Sequence, residues 1–145
     1  MRVSRERAAE NRARMLSAAA KLFREKGFSG VGMDALADEA GLSHGSLYSQ
    51  FGSKAGLAAE ALEHALNTNA EHLSGMRTFE DYVARYLCAE HRDRPGDGCA
   101  LAALGGDVSR EGPDVRRRFT SAVRQIAHRI AGLRPAGRRS RRTTL

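Results

Sequence analysis

Cysteine is scarce in this chain: only Cys88 and Cys99 occur. Two thiols are too few for a disulfide framework and fit a reducing compartment. Long apolar runs are missing too, since no stretch approaches the roughly 20 residues of a membrane span. The leading residues, MRVSRERAAENRARML, are charged and hold no continuous apolar segment of secretory type, so the cytoplasm is the expected location. Strand-like alternation and internal repeats are absent. So are a nucleophile elbow, a phosphate-binding loop and a paired-carboxylate motif. Cys88, Cys99 and His91, taken with His64 or His72, match no recognised ligand spacing. The chain therefore reads as no enzyme, with no metal and no cofactor.

What is present is a helical, basic chain. A hydrophobic fraction of 41% with 28% charged residues over 145 positions allows one or two small globular domains. The net charge of +7 is uneven. Residues 1–58 hold 9 Lys/Arg against 6 Asp/Glu, residues 59–133 hold 10 against 11, and residues 134–145 hold 5 Arg and no acid. Basic ends around a neutral middle point to an anionic partner at the ends, whether nucleic acid, membrane surface or acidic protein.

Apolar periodicity of three and four runs through most of the sequence. Met15, Leu16, Ala19, Leu22 and Phe23 share one helical face between Arg7 and Lys26. Gly27 is expected to end that helix as a left-handed cap, with Phe28 folding back. Met33, Leu36, Ala37 and Ala40 mark a second helix of about two turns, too short to stand without neighbours. Gly41 and Leu42 make a turn, Ser43 is a good N-cap for a third helix to about Gln50, and Ser53 caps a fourth. The fourth carries Leu57, Ala58, Ala61, Leu62, Ala65 and Leu66, and a joint is expected near Ser74 to Arg77. Phe79, Tyr82, Val83, Tyr86 and Leu87 form a further face, and HRDRPGDG reads as a loop. CALAALGGDVSR reads as a helix weakened by Gly105 and Gly106, and a last helix carries Val115, Phe119, Val123, Ile126, Ile130 and Leu133. RPAGRRSRRTTL has no apolar period and is expected to be disordered. The fold class is all-α.

A helix, a glycine turn and a short helix make a helix-turn-helix. Three helices around one small core would leave the outer face of residues 43–50 exposed. Ser43, His44, Gly45 and Ser46 lie at a helix N-terminus, where free N–H groups and the dipole favour phosphate. Their small size suits entry into a major groove, with His44, Ser46 and Gln50 able to reach base edges. Lys54 opens the next helix against its own dipole, a placement that an external anion would offset. Arg2, Arg5 and Arg7 are expected to serve as an N-terminal arm on backbone or minor groove.

These features together resemble the DNA-binding domain of the tetracycline-repressor (TetR) family across residues 7–66. The resemblance rests on Phe23, Gly27-Phe28, Leu36-Ala37, Ala40-Gly41, Leu47-Tyr48, Phe51 and Ser53-Lys54. It implies phosphate contacts from Tyr48 and Lys54, and a groove-facing set of Ser43, His44, Ser46 and Gln50. The family usually has Ser or Thr at the start of the second helix, where the hydroxyl caps the helix and bonds a phosphate; Gly32 stands there in this chain.

By the same resemblance, a helical ligand-binding and dimerisation domain follows the fourth helix, and GDGCALAALGGDVSREGPDVRRRF is similar to the central region of one subgroup. A pocket there would be lined by Tyr82, Tyr86, Cys88, Cys99, Leu101 and Phe119. The expected organisation is a DNA-binding domain over 1–52, a helical regulatory domain over 53–133 and a basic tail over 134–145. Family chains continue through two further helices that pair subunits, so the end after Leu133 is expected to be a shortened one. The resemblance implies a repressor that binds double-stranded DNA as a homodimer and is released from a pseudo-palindromic operator by a small-molecule effector. A ligand-independent or defective regulator, and a helical adaptor with basic ends on an acidic partner, are the alternatives.

Overall fold

A computed structural model describes residues 4–135. Arg2 and the greater part of the basic tail lie outside the described residues. Those described form eight α-helices and one 3-10 turn: α1 (Arg5–Lys26), α2 (Met33–Ala40), α3 (His44–Phe51), α4 (Lys54–Ser74), α5 (Phe79–Tyr86), α6 (Ala89–Asp93), the turn Pro95–Asp97, α7 (Ala100–Val108) and α8 (Pro113–Ala131). An isolated bridge between Thr78 and Arg134 is the only extended pairing among them. The fold is all-α.

Helix α1 starts because Ser4 accepts the Arg7 N–H on its hydroxyl at 3.3 Å, and Glu6 sits in the first turn where the dipole favours an acid. Arg5 and Arg7 are consequently helical. These two residues of the expected N-terminal arm lie in the first turn of α1 behind the Ser4 cap. Further along, Met15, Ala19, Leu22 and Phe23 face the core. Gly27 ends the helix with φ 76° and ψ 167°, a positive φ but not the left-handed helical cap expected. The reason lies downstream: the Phe28 N–H donates to the Asp107 carboxylate of α7 at 3.3 Å, drawing the chain outward from the helix axis. Phe28 still folds back, its ring centroid 5.2 Å from that of Phe23.

Between α2 and α3 the backbone makes the expected left-handed turn. Gly41 has φ 64° and ψ 40°, its N–H reaches the Asp38 carbonyl at 3.1 Å, and Leu42 N–H reaches Ala37 at 3.0 Å. Arg14 of α1 closes the same corner by donating to the Ala40 carbonyl at 3.0 Å. Leu36, Ala37, Ala40, Leu47 and Phe51 thereby join one apolar cluster with α1 and α4.

That cluster does not stop at the third helix. Leu57, Ala58, Ala61, Leu62, Ala65 and Leu66 of α4 continue it, and Ala100, Leu104, Val108 and Val115 complete it from α7 and α8. Helix α7 persists through Gly105 and Gly106, because Leu104 and Val108 anchor it on either side. One expectation needs correction. HRDRPGDG is not a plain loop: it provides the last residues of α6, a helix whose start is capped by the Cys88 thiol accepting the His91 N–H, and the 3-10 turn opened by Pro95. The apolar residues of α5 stay outside the core. None of its residues is buried, and Leu87 beyond it is 76% exposed.

The glycines separate by sign of effect. Gly41→Ala should destabilise the fold by about 1–2 kcal/mol, since its positive φ resists a side chain and an added Cβ would lie 3.2 Å from the Arg14 guanidinium. Gly106→Ala, in open space within α7, should stabilise by about 0.5–1 kcal/mol. Denaturant unfolding of the two variants reads the opposite shifts.

Candidate nucleic-acid interface and a neighbouring cavity

The exposed end of the α2–α3 unit is built from short side chains over free backbone donors. Ser43 caps α3, its hydroxyl accepting the Ser46 N–H at 3.3 Å and lying 3.0 Å from the Ser46 hydroxyl. Ser53 caps α4 in the same way, accepting the Gly56 N–H at 3.0 Å. Neither α3 nor α4 carries an acid in its own first turn, although Asp34 of α2 lies against His44 at the start of α3. Lys54 stands at the start of α4 and adds a cation there. This arrangement attracts an anion.

Gly45 sharpens the point. It has no positive φ, and an added Cβ would meet only the Ser43 hydroxyl, at 3.9 Å. The fold leaves room for a side chain there, so the small residue keeps the surface low instead of relieving a clash. Ser43, His44 and Gly45 are exposed and Ser46 half-buried. Tyr48 is 49% exposed, with its ring edge-on to His44 at 6.3 Å, and so belongs to the surface more than to the core. Leu47 and Phe51 face inward and are buried, as their spacing predicts.

Gln50 is half-buried, and its carbonyl accepts from Arg12 of α1 at 3.1 Å. Arg12 also pairs with Glu60 of α4 and lies 4.4 Å from the centre of the Phe51 ring. One guanidinium thus ties α1, α3 and α4 together, a role the sequence gives no sign of, because α1's polar face offers several equivalent arginines. Gly32 is exposed at the start of α2 and makes no side-chain cap. Asp34, in the first turn of α2, meets His44 Nε2 at 2.5 Å. That pairing was likewise invisible in the sequence, as it depends on how the two short helices cross. Arg5 is exposed at the start of α1.

On the other side of α4, a cavity of about 130 Å³ opens among α4, α5, α6 and the Pro95–Asp97 turn. Tyr82, Tyr86, Cys88 and Cys99 line it, together with Asn69, His72, His91 and Ile126. Leu101 and Phe119, expected in the same lining, are elsewhere. Both pack against the main apolar cluster, Phe119 beside Gly105, because α7 turns that face toward α8. Tyr82, Tyr86 and His91 stack in series, at 5.4 and 4.4 Å. His91 Nε2 accepts the Cys99 N–H at 3.1 Å. Asn69 of α4 accepts the Ala100 N–H at 2.9 Å and donates to the Gly98 carbonyl at 3.4 Å, and Arg24 of α1 donates to that same carbonyl at 3.3 Å. Among the described residues, no group of three or more His, Cys, Asp or Glu is gathered to hold a metal ion. No described helix is long and apolar enough to cross a membrane.

The profile of bacterial regulatory proteins of the tetR family matches residues 15–61, which hold most of α1, all of α2 and α3, and the start of α4. The chain is 32% identical over 106 residues to the HTH-type transcriptional repressor BdcR of Escherichia coli (strain K12), covering 70% of this chain and 54% of that protein. It is 34% identical over 82 residues to the HTH-type transcriptional regulator SAB2452 of Staphylococcus aureus (strain bovine RF122 / ET3-1), covering 57% and 43%. The chain thus spans about half the length of these curated relatives. Among solved structures, the fold is similar to E. coli NemR in its reduced form, with a TM-score of 0.70 at 24% identity. A TetR-family transcriptional regulator from Agrobacterium tumefaciens superposes with a TM-score of 0.72 at 13% identity. Each alignment covers 83% of this chain and 67% of the other, and at these identities the likeness is one of fold.

The cavity has an alkaline signature. Burial, then the neighbouring Cys99 and Tyr82, push the Tyr86 phenol up from 10.0 to about 12, and burial also raises Tyr82. A phenol whose folded pKa is raised binds its proton more tightly folded than unfolded, so stability falls as pH rises past the unfolded value of 10.0. Ultraviolet titration should show a late phenolate step near pH 12 that Tyr86→Phe removes.

Proposed function

We propose, from the premise that the chain belongs through residues 15–61 to the tetR family of bacterial regulatory proteins, that it binds double-stranded DNA with α3 and represses transcription until a small molecule releases it. The observation that supports this best is the pair of helix N-termini with no acid in their own first turns, α3 and α4, beside a surface kept low by Ser43, Gly45 and Ser46. Major-groove entry needs short side chains, and phosphate anchoring needs free N–H groups and cations.

Each residue then has a task. Lys54 and the Tyr48 hydroxyl hold backbone phosphates, Ser43, His44, Ser46 and Gln50 face base edges, and Gly32 lets the backbone of α2 approach a phosphate without a hydroxyl. Arg5, at the start of α1, contributes a longer-range cation. One such unit makes too few base contacts for specificity. Two copies on half-sites about one helical turn apart supply the rest, which calls for a homodimer on a pseudo-palindromic operator.

The cavity beside α4 is the effector site in this reading, with Tyr82, Tyr86 and Cys99 in contact with the effector. Its volume suits a molecule of benzene-like size, given that a cavity of about 150 Å³ accommodates benzene. The Gly98–Ala100 segment is tied to α4 through Asn69 and to α1 through Arg24. A ligand that moves this segment therefore acts on both helices that carry the DNA-binding unit. Release follows from a difference in affinity between the two arrangements, typically 1–3 kcal/mol of coupling. No catalytic step and no cofactor belong to this reading, and its place of action is the cytoplasm.

Duplex affinity should fall steeply with salt, as counterions return to freed phosphates. Lys54→Ala should weaken binding to all sequences alike and lower the salt slope by about one, and Gln50→Ala should relax sequence preference instead. An unchanged affinity in Lys54→Ala would contradict the phosphate role. Sedimentation at micromolar concentration should show a dimer, and a clean monomer would contradict the two-copy arrangement.

A further inference from the structure

Hydrogen bonding around the cavity beside α4 divides its polar groups into those already engaged and those still open to a ligand. The acceptors are engaged. Both carboxylates of the lining, Glu90 and Asp97, pair with the single guanidinium of Arg94, at 3.2 and 2.8 Å. Asn69 commits its oxygen to the Ala100 N–H and its amide to the Gly98 carbonyl. The Cys88 thiol accepts from the His91 N–H at 3.4 Å and donates to the Arg85 carbonyl at 3.2 Å. A backbone N–H only donates, so the bond from Cys99 leaves Nε2 of His91 without a proton, and the ring has only an Nδ1–H to offer.

Donors remain. The Tyr82 hydroxyl makes no hydrogen bond among the described residues, and Tyr86 has the Cys99 thiol, a weak acceptor, beside its own. Burial is the main cause that raises both phenols, so these hydroxyls are partly withdrawn from water. Arg85, the other arginine of the lining, is exposed at the mouth and forms no ion pair among the described residues. The walls suit a flat ring. Tyr82, Tyr86 and His91 stack in series at 5.4 and 4.4 Å, and Leu73, Met76 and Ile126 add apolar surface.

We propose that this cavity binds a small aromatic carboxylate of about the size of benzoate, with its ring against Tyr82, Tyr86 and His91 and its carboxylate at the mouth, taken by the phenol hydroxyls and the Arg85 guanidinium. A cationic ligand finds no unpaired acid in the lining, and a neutral one leaves Arg85 unused. A volume of about 130 Å³ limits the enclosed part to one ring. The proposal deepens the effector reading above by naming the chemical class of the ligand, and it rests on that reading for any effect on DNA.

Isothermal titration calorimetry of the full chain with three ligands of one shape tests the choice: benzoate, neutral benzamide and cationic benzamidine. Benzoate should bind about tenfold more tightly than benzamide, and benzamidine should not bind. Arg85→Gln should bring benzoate down to the level of benzamide, and Arg85→Lys, which keeps the charge, should retain most of the preference. Arg85 is exposed, so both variants should melt at the temperature of the wild type. Benzoate no tighter than benzamide, benzamidine the tightest of the three, or a benzoate preference that survives Arg85→Gln would overturn the inference. So would a failure of all three to bind, which leaves the cavity open to an effector of another class. Duplex affinity measured in saturating benzoate separates the two claims. A fall supports both, whereas an unchanged affinity beside Arg85-dependent benzoate binding upholds the ligand class and overturns the effector reading.

Discussion

Everything in this molecule leans on one buried stripe of α4. Leu57, Ala58, Ala61, Leu62, Ala65 and Leu66 are all sealed from solvent, and α1, α3, α7 and α8 pack onto that helix from different sides. Three of the six are alanines, which keep the helix thin enough for neighbours to approach on more than one flank. Short helices such as α2 and α3, eight residues each, cannot persist without such support. The exposed surface of α3 therefore exists because Leu47 and Phe51 have somewhere apolar to go.

The same helix brings the two candidate sites within one structural unit. At its N-terminal end lie the Ser53 cap and Lys54, beside α3; toward its C-terminal end lies Asn69, hydrogen bonded to both Gly98 and Ala100 at the edge of the cavity. Helix α1 runs alongside and repeats the pattern, with Arg12 and Arg14 gripping α3 and the end of α2, and Arg24 gripping Gly98. A rigid apolar seam with polar ties at both ends is suited to carry a displacement along its length, since packed helices shift as bodies and do not deform smoothly.

The sequence was most legible where local chemistry decides the structure. Ser43 and Ser53 cap as their type predicts, Gly41 takes the left-handed turn, and the spacing of Leu47, Tyr48 and Phe51 separates inside from outside. It was least legible where distant residues compete. Gly27 departs from the expected cap because Asp107, 80 positions away, holds the next amide. Phe119 and Leu101 leave the cavity because α7 and α8 pack against each other, which periodicity cannot foresee. The stripe of α5 puts no residue into the core and leaves Tyr82, Val83 and Tyr86 half-buried, since an amphipathic face records what a helix can bury and not whether a neighbour is there. Asp34 and His44 meet only because two short helices cross at Gly41.

The central claim, that α3 and the start of α4 receive DNA, is open to one direct measurement. Backbone amide shifts of the full chain, followed by nuclear magnetic resonance during titration with duplex DNA, report where the ligand sits. The account predicts the largest changes at Ser43 to Gln50 and at Lys54. Changes concentrated instead on the exposed arginines of α8, Arg116, Arg117 and Arg124, with α3 undisturbed, would contradict it.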